Sequence, residues 1–316
     1  MTDGSTARES SGLLLKQVIG QQVLPKYLKP WFEAYTQYER QPEFVNTVES
    51  STENREYQKS VLKLFIRNIE SDHTKELHED VFEAYASYMI PSLDETERKN
   101  IVNYAISPAI AVRLYEEPNV IAREGGTGHR TWEAALALAD YLVDTSSFQT
   151  TPRSFVELGA GTGLVGLVAC QLPYTEQVVL TDGDTTVVDN LEENMRLNSG
   201  TIGSKVCSQK LWWNKDPPVS LVNTEATIIA ADVTYDSDLF PALVQCIKQH
   251  LALPSTDNAL VSATIRSPET YQAFLDECAT NSVKVHVLKT YTSPFASRHF
   301  FISPESPDIA VLRLEL

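Results

Sequence analysis

The run FVELGAGTGLVG at residues 155–166 constrains the fold more than any other part of the chain. Its β-branched and aromatic opening reads as a buried strand, and the apolar LVGLVACQL after the last glycine reads as a helix start. Gly159, Gly161 and Gly163 lie between the two. Glycines at such a junction let the backbone turn tightly and bring its N–H groups against a ligand. Strand, glycine loop and helix in that order form the ligand-binding corner of an open parallel α/β sheet.

Asp182 closes the next strand-like run, QVVLTD (177–182). An acid there is placed to accept both ribose hydroxyls of a nucleoside cofactor. GTGLVG (161–166) also satisfies the dinucleotide fingerprint G-x-G-x-x-G, so on the loop alone a nicotinamide dinucleotide stays open beside S-adenosyl-L-methionine. Two features favour the latter. The glycines begin earlier, at Gly159, and Glu157 lies just ahead of the loop. A carboxylate there suits a cofactor carrying a positive sulfonium and amine better than one carrying two phosphates.

The rest of the chain falls into two regimes. From about residue 10 to 117 the pattern is helical, with the first ten or so residues expected to be disordered. Val61, Leu64, Phe65 and Ile69 share one face at helical spacing, as do Val81, Phe82, Tyr85, Tyr88 and Met89. Ser92 to Glu95 resembles a capping box opening a further helix through ETERKNIVNYAI. The expectation is an all-helical accessory domain over 1–117. From 118 to 316 short strands alternate with helices. SFVEL (154–158), QVVLTD, ATIIAADV (226–233) and NALVSATI (258–265) read as strands, and 185–198 and 238–252 as helices. That alternation implies βαβ units and a parallel sheet. VKVHVLKTY (283–291) and DIAVLRLEL (308–316) have no helix between them and should close the sheet as an antiparallel hairpin.

Charge and composition exclude other classes. With 26 Lys plus Arg against 42 Asp plus Glu, the chain carries a net −16, which the phosphate backbone of nucleic acid repels. Cys170, Cys207, Cys246 and Cys278 show no C-x-x-C spacing and read as reduced thiols, and no metal site is expected. No apolar run approaches the roughly 18 residues of a membrane span. The opening MTDGSTARESSG lacks the apolar stretch of a secretory signal. A cytoplasmic protein with no membrane partner is expected, monomeric by default.

The segments GTGHRTWEAALALADYL, FVELGAGTGLVG, VVLTDGD, IIAADVTYD and SATIRSPETYQAF together resemble the seven-β-strand protein-lysine methyltransferases. Within that family the similarity, over about 118–316, is to the eukaryotic elongation factor 2 lysine methyltransferases. The resemblance implies a Rossmann-like seven-stranded sheet ending in an antiparallel hairpin, S-adenosyl-L-methionine as cofactor, and elongation factor 2 as protein substrate. It places Trp132 against the cofactor, Gly159, Ala160 and Gly161 in the binding loop, and Asp182 on the ribose. Trp213 would lie beside the adenine and Ala231 would line the cofactor. Asp232-Val-Thr-Tyr235 matches the family's D-x-x-Y motif at the methyl-transfer site. The chain departs from the family at Trp212, where relatives often carry an acid that contacts the adenine amino group.

Val233 and Thr234 occupy the positions where methyltransferases of exocyclic base amines typically carry two prolines, as in N-P-P-Y. With the acidic balance of the chain, this favours a protein lysine over a nucleic-acid base. Methyl transfer from a sulfonium is an in-line displacement dominated by positioning. Asp232 and Tyr235 are therefore read as groups that orient the incoming amine, with the fate of its proton left open. An NAD(P)-dependent oxidoreductase and a non-enzymatic scaffold built on the same sheet are the rival readings.

Overall fold

The computed structural model describes residues 13–90, 100–107, 109–117, 127–144, 153–221, 224–293, 297 and 299–316. The chain divides into two compact units, Met1–Arg113 and Leu114–Leu316. The first residues, the Ser92–Glu95 capping box and residues 118–126, at which the second sequence regime was read to begin, lie outside the described residues.

The first unit is built on aromatic packing. Residues 13–20 are helical, and three longer helices follow: α1 (Gln41–Ser51), α2 (Arg55–Glu70) and α3 (Glu79–Ser87). Asn54 starts α2 by accepting the Tyr57 backbone N–H on its side chain, satisfying one of the donors a helix start leaves open. The face turned inward carries Val61, Leu62, Phe65, Ile66 and Ile69, while Leu64 is only half-buried. Phe44 stacks on Phe65 at 4.0 Å, and Phe32 meets both rings edge-on at 5.5 and 5.3 Å. The face expected after it is thinner. Val81 and Tyr88 are buried, but Phe82 and Met89 are exposed, because α3 ends at Ser87 and Met89 falls beyond its last turn.

This unit is not all-helical. The helix expected to run through ETERKNIVNYAI does not reach its end: β1 (Ile101–Ser107) and β2 (Ile110–Tyr115) pair as a two-stranded sheet. Val102, Tyr104 and Ile106 are the buried residues of β1, a period of two rather than 3.6. Its β-branched and aromatic side chains suit a half-buried pleat. The Gln22 side-chain amide anchors the strand's start, donating to the Asn100 side chain at 3.0 Å and to the Ile101 carbonyl at 2.8 Å.

The second unit is a three-layer α/β structure. Its strands are β3 (Arg153–Leu158), β4 (Thr175–Asp182), β5 (Val206–Lys210), β6 (Glu225–Ala231), β7 (Thr256–Thr264), β8 (Lys284–Tyr291) and β9 (Ile309–Glu315). They form one sheet in the order β5-β4-β3-β6-β7-β9-β8. Pairs from β5 through β7 are parallel; β9 runs antiparallel to both β7 and β8. The expected terminal hairpin is thus present. The helices are α4 (Glu133–Asp144), α5 (Leu164–Cys170), α6 (Thr185–Leu197), α7 (Phe240–Leu251) and α8 (Pro268–Thr280). All six residues of β3 are buried, as a strand covered on both faces requires. Sequence reading missed β5, whose five residues are exposed or half-buried at the sheet edge and so carry no apolar pattern. Cys170, Cys246 and Cys278 are buried free thiols and Cys207 is exposed. No helix among the described residues is long and apolar enough to cross a membrane.

β3 has β4 on one side and β6 on the other, so the chain changes direction across the sheet at β3. Loops leaving the carboxyl ends of β3 and β6 therefore part there and leave a crevice. Leu158 is level with Thr181 of β4, and Glu157 with Ile229 of β6. The glycine loop, Asp182 and the segment after Ala231 consequently open at one edge.

A buried acid ties α4 to the end of the sheet. Asp140 has no exposed surface. It accepts from the Tyr291 and Ser297 hydroxyls, both at 2.8 Å, and from the His299 N–H at 3.2 Å. The Lys289 ammonium lies 3.4 Å away. Asp140→Ala would strand these donors in the interior, and truncating such a network costs about 3 kcal/mol. Thermal unfolding should show the variant melting several degrees below the parent, with cofactor affinity measured below the transition unchanged.

Candidate active site

At the crevice lies a cavity of about 830 Å³ lined by residues from the loops after β3, β4, β6 and β7 and from the segment ahead of α4. Gly159 and Gly161 both line it and both hold a left-handed backbone, at φ +64° and +54°. A Cβ on Gly159 would stand 2.8 Å from Val233 Cγ1, and one on Gly161 would stand 3.3 Å from the Gly128 carbonyl oxygen. The loop is therefore a cradle that only side-chain-free residues can form. Gly159→Ala adds both a backbone strain and a collision, and should weaken S-adenosylhomocysteine binding at least tenfold in calorimetry. Gly163 is not among the lining residues. It is the N-cap of α5 at φ +85° and packs under Leu191, so its glycine serves the turn.

Asp182 is bonded directly to the loop. Its Oδ2 accepts the Gly161 N–H at 3.2 Å and its Oδ1 the Asp184 N–H at 3.1 Å. Burial raises its carboxyl above the usual range despite these bonds. Glu157 lies deeper and is fully buried, with Oε2 accepting the Gly166 N–H at 2.9 Å. Burial pushes it up to about 8, opposed by the Gly166 bond and reinforced by the charge of Asp182. Both acids line the cavity together with Ala160, Trp213 and Ala231. Trp213 is partly buried against the sheet's core. Its neighbour Trp212 is exposed, with its backbone N–H held by Asp216 at 2.7 Å.

Asp232 also lines the cavity, with its backbone in the left-handed region, at φ +55°. A non-glycine residue held there marks stored strain of the kind found at functional sites. The backbone N–H is fixed by the Ser262 carbonyl at 2.9 Å. Arg266 grips the carboxylate in a two-pronged pair, Nη1 to Oδ1 at 2.9 Å and Nη2 to Oδ2 at 2.7 Å. Asp232 is not a helix cap; Asp236 does that, accepting the Asp238 N–H. Tyr235 is 50% exposed at the cavity wall, its hydroxyl 3.3 Å from Thr127 Oγ1. The Thr127 carbonyl in turn accepts the Trp132 indole N–H at 3.0 Å. The Trp132 ring lies beneath two guanidiniums, Arg130 at 5.0 Å and Arg266 at 5.3 Å.

All but one of the residues singled out in the sequence line this cavity, Gly163 being the exception. Two groups were not singled out. Arg266 lies in the quoted SATIRSPETYQAF, and its signal was a cation directly after an apolar strand, at the edge where ligands bind. The other is a buried network that holds the segment ahead of α4 to the glycine loop. Thr131 Oγ1 lies 2.7 Å from both the Glu116 carboxylate and Thr162 Oγ1, and the Asn194 amide donates to the Thr162 carbonyl.

The cradle and the inward acids fit a nucleoside cofactor with a positively charged tail. Glycine N–H groups here meet a carboxylate, Asp182, which leaves less room for a pyrophosphate than a dinucleotide loop needs. Comparison with known proteins agrees with that donor set. The protein-lysine N-methyltransferase EFM3 of Saccharomyces cerevisiae is 31% identical over 228 residues, 67% of this chain and 66% of that protein. Its namesake from Chaetomium thermophilum is 32% identical over 184 residues, 55% of this chain and 53% of the other. The human protein-lysine N-methyltransferase EEF2KMT is 27% identical over 273 residues, 82% and 79% of the two chains. The matches thus span between about half and just under two thirds of the two fungal relatives. The family model described as lysine methyltransferase matches residues 119–281, more than half of the chain. On that match, carried by the stretch that builds the cavity, the chain belongs to the lysine methyltransferase family.

Proposed function

We propose that the chain is an S-adenosyl-L-methionine-dependent protein-lysine N-methyltransferase acting on translation elongation factor 2. The observation that carries this reading is one cavity lined by the glycine cradle, Asp182, Asp232 and Tyr235 together. Gly159 to Gly161 and Asp182 would hold the nucleoside, with Trp213 and Ala231 walling it, and Trp132 would pack against the charged tail. S-adenosyl-L-methionine supplies an electrophilic methyl group there, whose transfer to a lysine Nζ forms an N–C bond, breaks a C–S bond and leaves the electron pair on sulfur. The chain's own share is positioning. Asp232, aimed by its strained backbone, offers an acceptor to the amine, and Tyr235 lies where its ring can wall the lysine's aliphatic stem.

The names of the relatives support the reaction class. The substrate follows from the resemblance of ADVTY and TIRSPET to the elongation factor 2 enzymes. Labelled S-adenosyl-L-methionine added with the protein to a lysate of cells lacking it should label a single band, identified as elongation factor 2. Label on RNA or on a small metabolite overturns the substrate. Calorimetry separates the rival dehydrogenase, since binding of NAD(H) or NADP(H) without S-adenosylhomocysteine would exclude methyl transfer. A scaffold would keep its cellular role in Tyr235→Phe, which the enzyme reading expects to lose methylation.

A further inference from the structure

A carboxylate beside a lysine nucleophile poses a problem. Left unpaired, it stabilises the ammonium form, which has no lone pair to attack a methyl group. Asp232 is not left unpaired. Both of its oxygens face Arg266 nitrogens in a fork-to-fork pair, and its side chain is only 7% exposed. The Arg266 side chain is 40% exposed and lines the same cavity. Its guanidinium thus bonds the carboxylate and lies over the Trp132 ring at 5.3 Å, in the wall of the cavity.

We propose that Arg266 is a positioning residue that sets the pH at which the substrate lysine becomes a nucleophile; this rests on the methyltransferase reading above. The paired Asp232 keeps lone pairs able to accept one N–H of the amine, but its charge is cancelled by the guanidinium. An entering ammonium therefore finds no net negative partner, and the nearby cation disfavours its charged form. The proton leaves Nζ for solvent before the N–C bond forms. The ionisable groups around this point are few. Asp232 and Tyr235 follow β6, and Arg130 and Glu133 stand at the start of α4, Glu133 acting on Arg266 only through space. Glu269, in the first turn of α8 just after Arg266, is engaged by Ser267. Among these, only Asp232 bonds the guanidinium directly, so Arg266 acts on the amine in two ways, by pairing Asp232 and by its own charge.

The test uses the full chain, unmethylated elongation factor 2 and labelled S-adenosyl-L-methionine, with kcat and KM measured from pH 6 to 10. Arg266→Gln frees the carboxylate to pair with the ammonium. The acidic limb of kcat should then move up by about one pH unit, and KM at pH 7 should fall while kcat falls. Arg266→Lys keeps the charge and should restore the limb, though not the full rate, having lost the fork. Asp232→Asn should move the limb down, and Arg266→Gln with Asp232→Asn should return it to the parent position at low kcat. Two readouts stand apart from activity: S-adenosylhomocysteine affinity should be near the parent's in Arg266→Gln, while thermal unfolding should come a few degrees earlier because the nearly buried Asp232 carboxylate loses its charged partner. If the parent methylates but Arg266→Gln keeps its limb and raises KM, the proposal fails alone. If the parent labels no protein, the functional reading fails and takes the proposal with it.

Discussion

Asp232→Asn should lower kcat for lysine methylation about 100-fold, or ~2.7 kcal/mol in the barrier, while leaving S-adenosylhomocysteine affinity within a few-fold. Asparagine is the informative replacement because it tolerates the left-handed backbone that Asp232 adopts. Alanine would add strain there and confuse a local loss with a shifted loop. The amide keeps the shape of the carboxylate but loses half of its acceptor capacity and the charge-assisted pair with Arg266. Arg266 is partly open to solvent, so its charge can be hydrated and the fold should lose little stability. The cofactor cradle is held by other bonds, Gly161 N–H to Asp182 at 3.2 Å, and meets this segment where Gly159 packs near the Val233 side chain. A loss of cofactor affinity equal to the loss of rate would mean that Asp232 belongs to the binding cradle, and would sink its assignment to the substrate amine.

The separation of cofactor side from substrate side was partly visible before any coordinates. Buried strands announce themselves as continuous β-branched runs, so β3, β4, β6 and β7 could be placed nearly to the residue. With parallel strands in hand, the residues just after them must share an edge, which is why Gly159, Asp182 and Asp232 could be grouped from sequence. β5 could not, because an exposed edge strand has no apolar face to show. β1 was hidden by its neighbours: ETERKN reads as helix, and the shift to a period of two begins only at Ile101. What sequence does not carry is which side chains pair across distant segments. The Arg266–Asp232 grip joins residues after two adjacent strands, and the Glu116–Thr131–Thr162 chain joins three segments. The buried state of Glu157 was likewise out of reach. A glutamate before a glycine loop reads as an anion, whereas here its surroundings hold it mostly neutral at pH 7.

That last property gives Glu157→Gln opposite effects on stability and on cofactor binding. In the free protein the carboxyl is raised from about 4.5 to about 8, so the folded state holds the proton more tightly than the unfolded chain does. A raised group contributes stability that is fully present below the unfolded value and is lost as pH rises through the folded one. The parent should therefore lose stability steadily between about pH 4.5 and 8, by an amount on the order of a few kcal/mol. Glutamine keeps an acceptor for the Gly166 N–H and has no proton to lose. The variant's denaturation midpoint should fall less over that window than the parent's, the remaining slope coming from groups such as Asp182, and should exceed the parent's at pH 8 to 9. Cofactor binding runs the other way. A cationic tail beside Glu157 favours the carboxylate, so binding expels the proton and must overcome the carboxyl's raised value. Parent affinity for S-adenosyl-L-methionine should climb at least tenfold from pH 6 to pH 8, with proton release seen in buffers of different ionisation enthalpy. In Glu157→Gln the affinity should be weaker at pH 8 and should vary less with pH than the parent's. A parent affinity that stays level across the window would show that the cofactor's charge does not reach Glu157, and that the acid serves only to hold Gly166 at the start of α5.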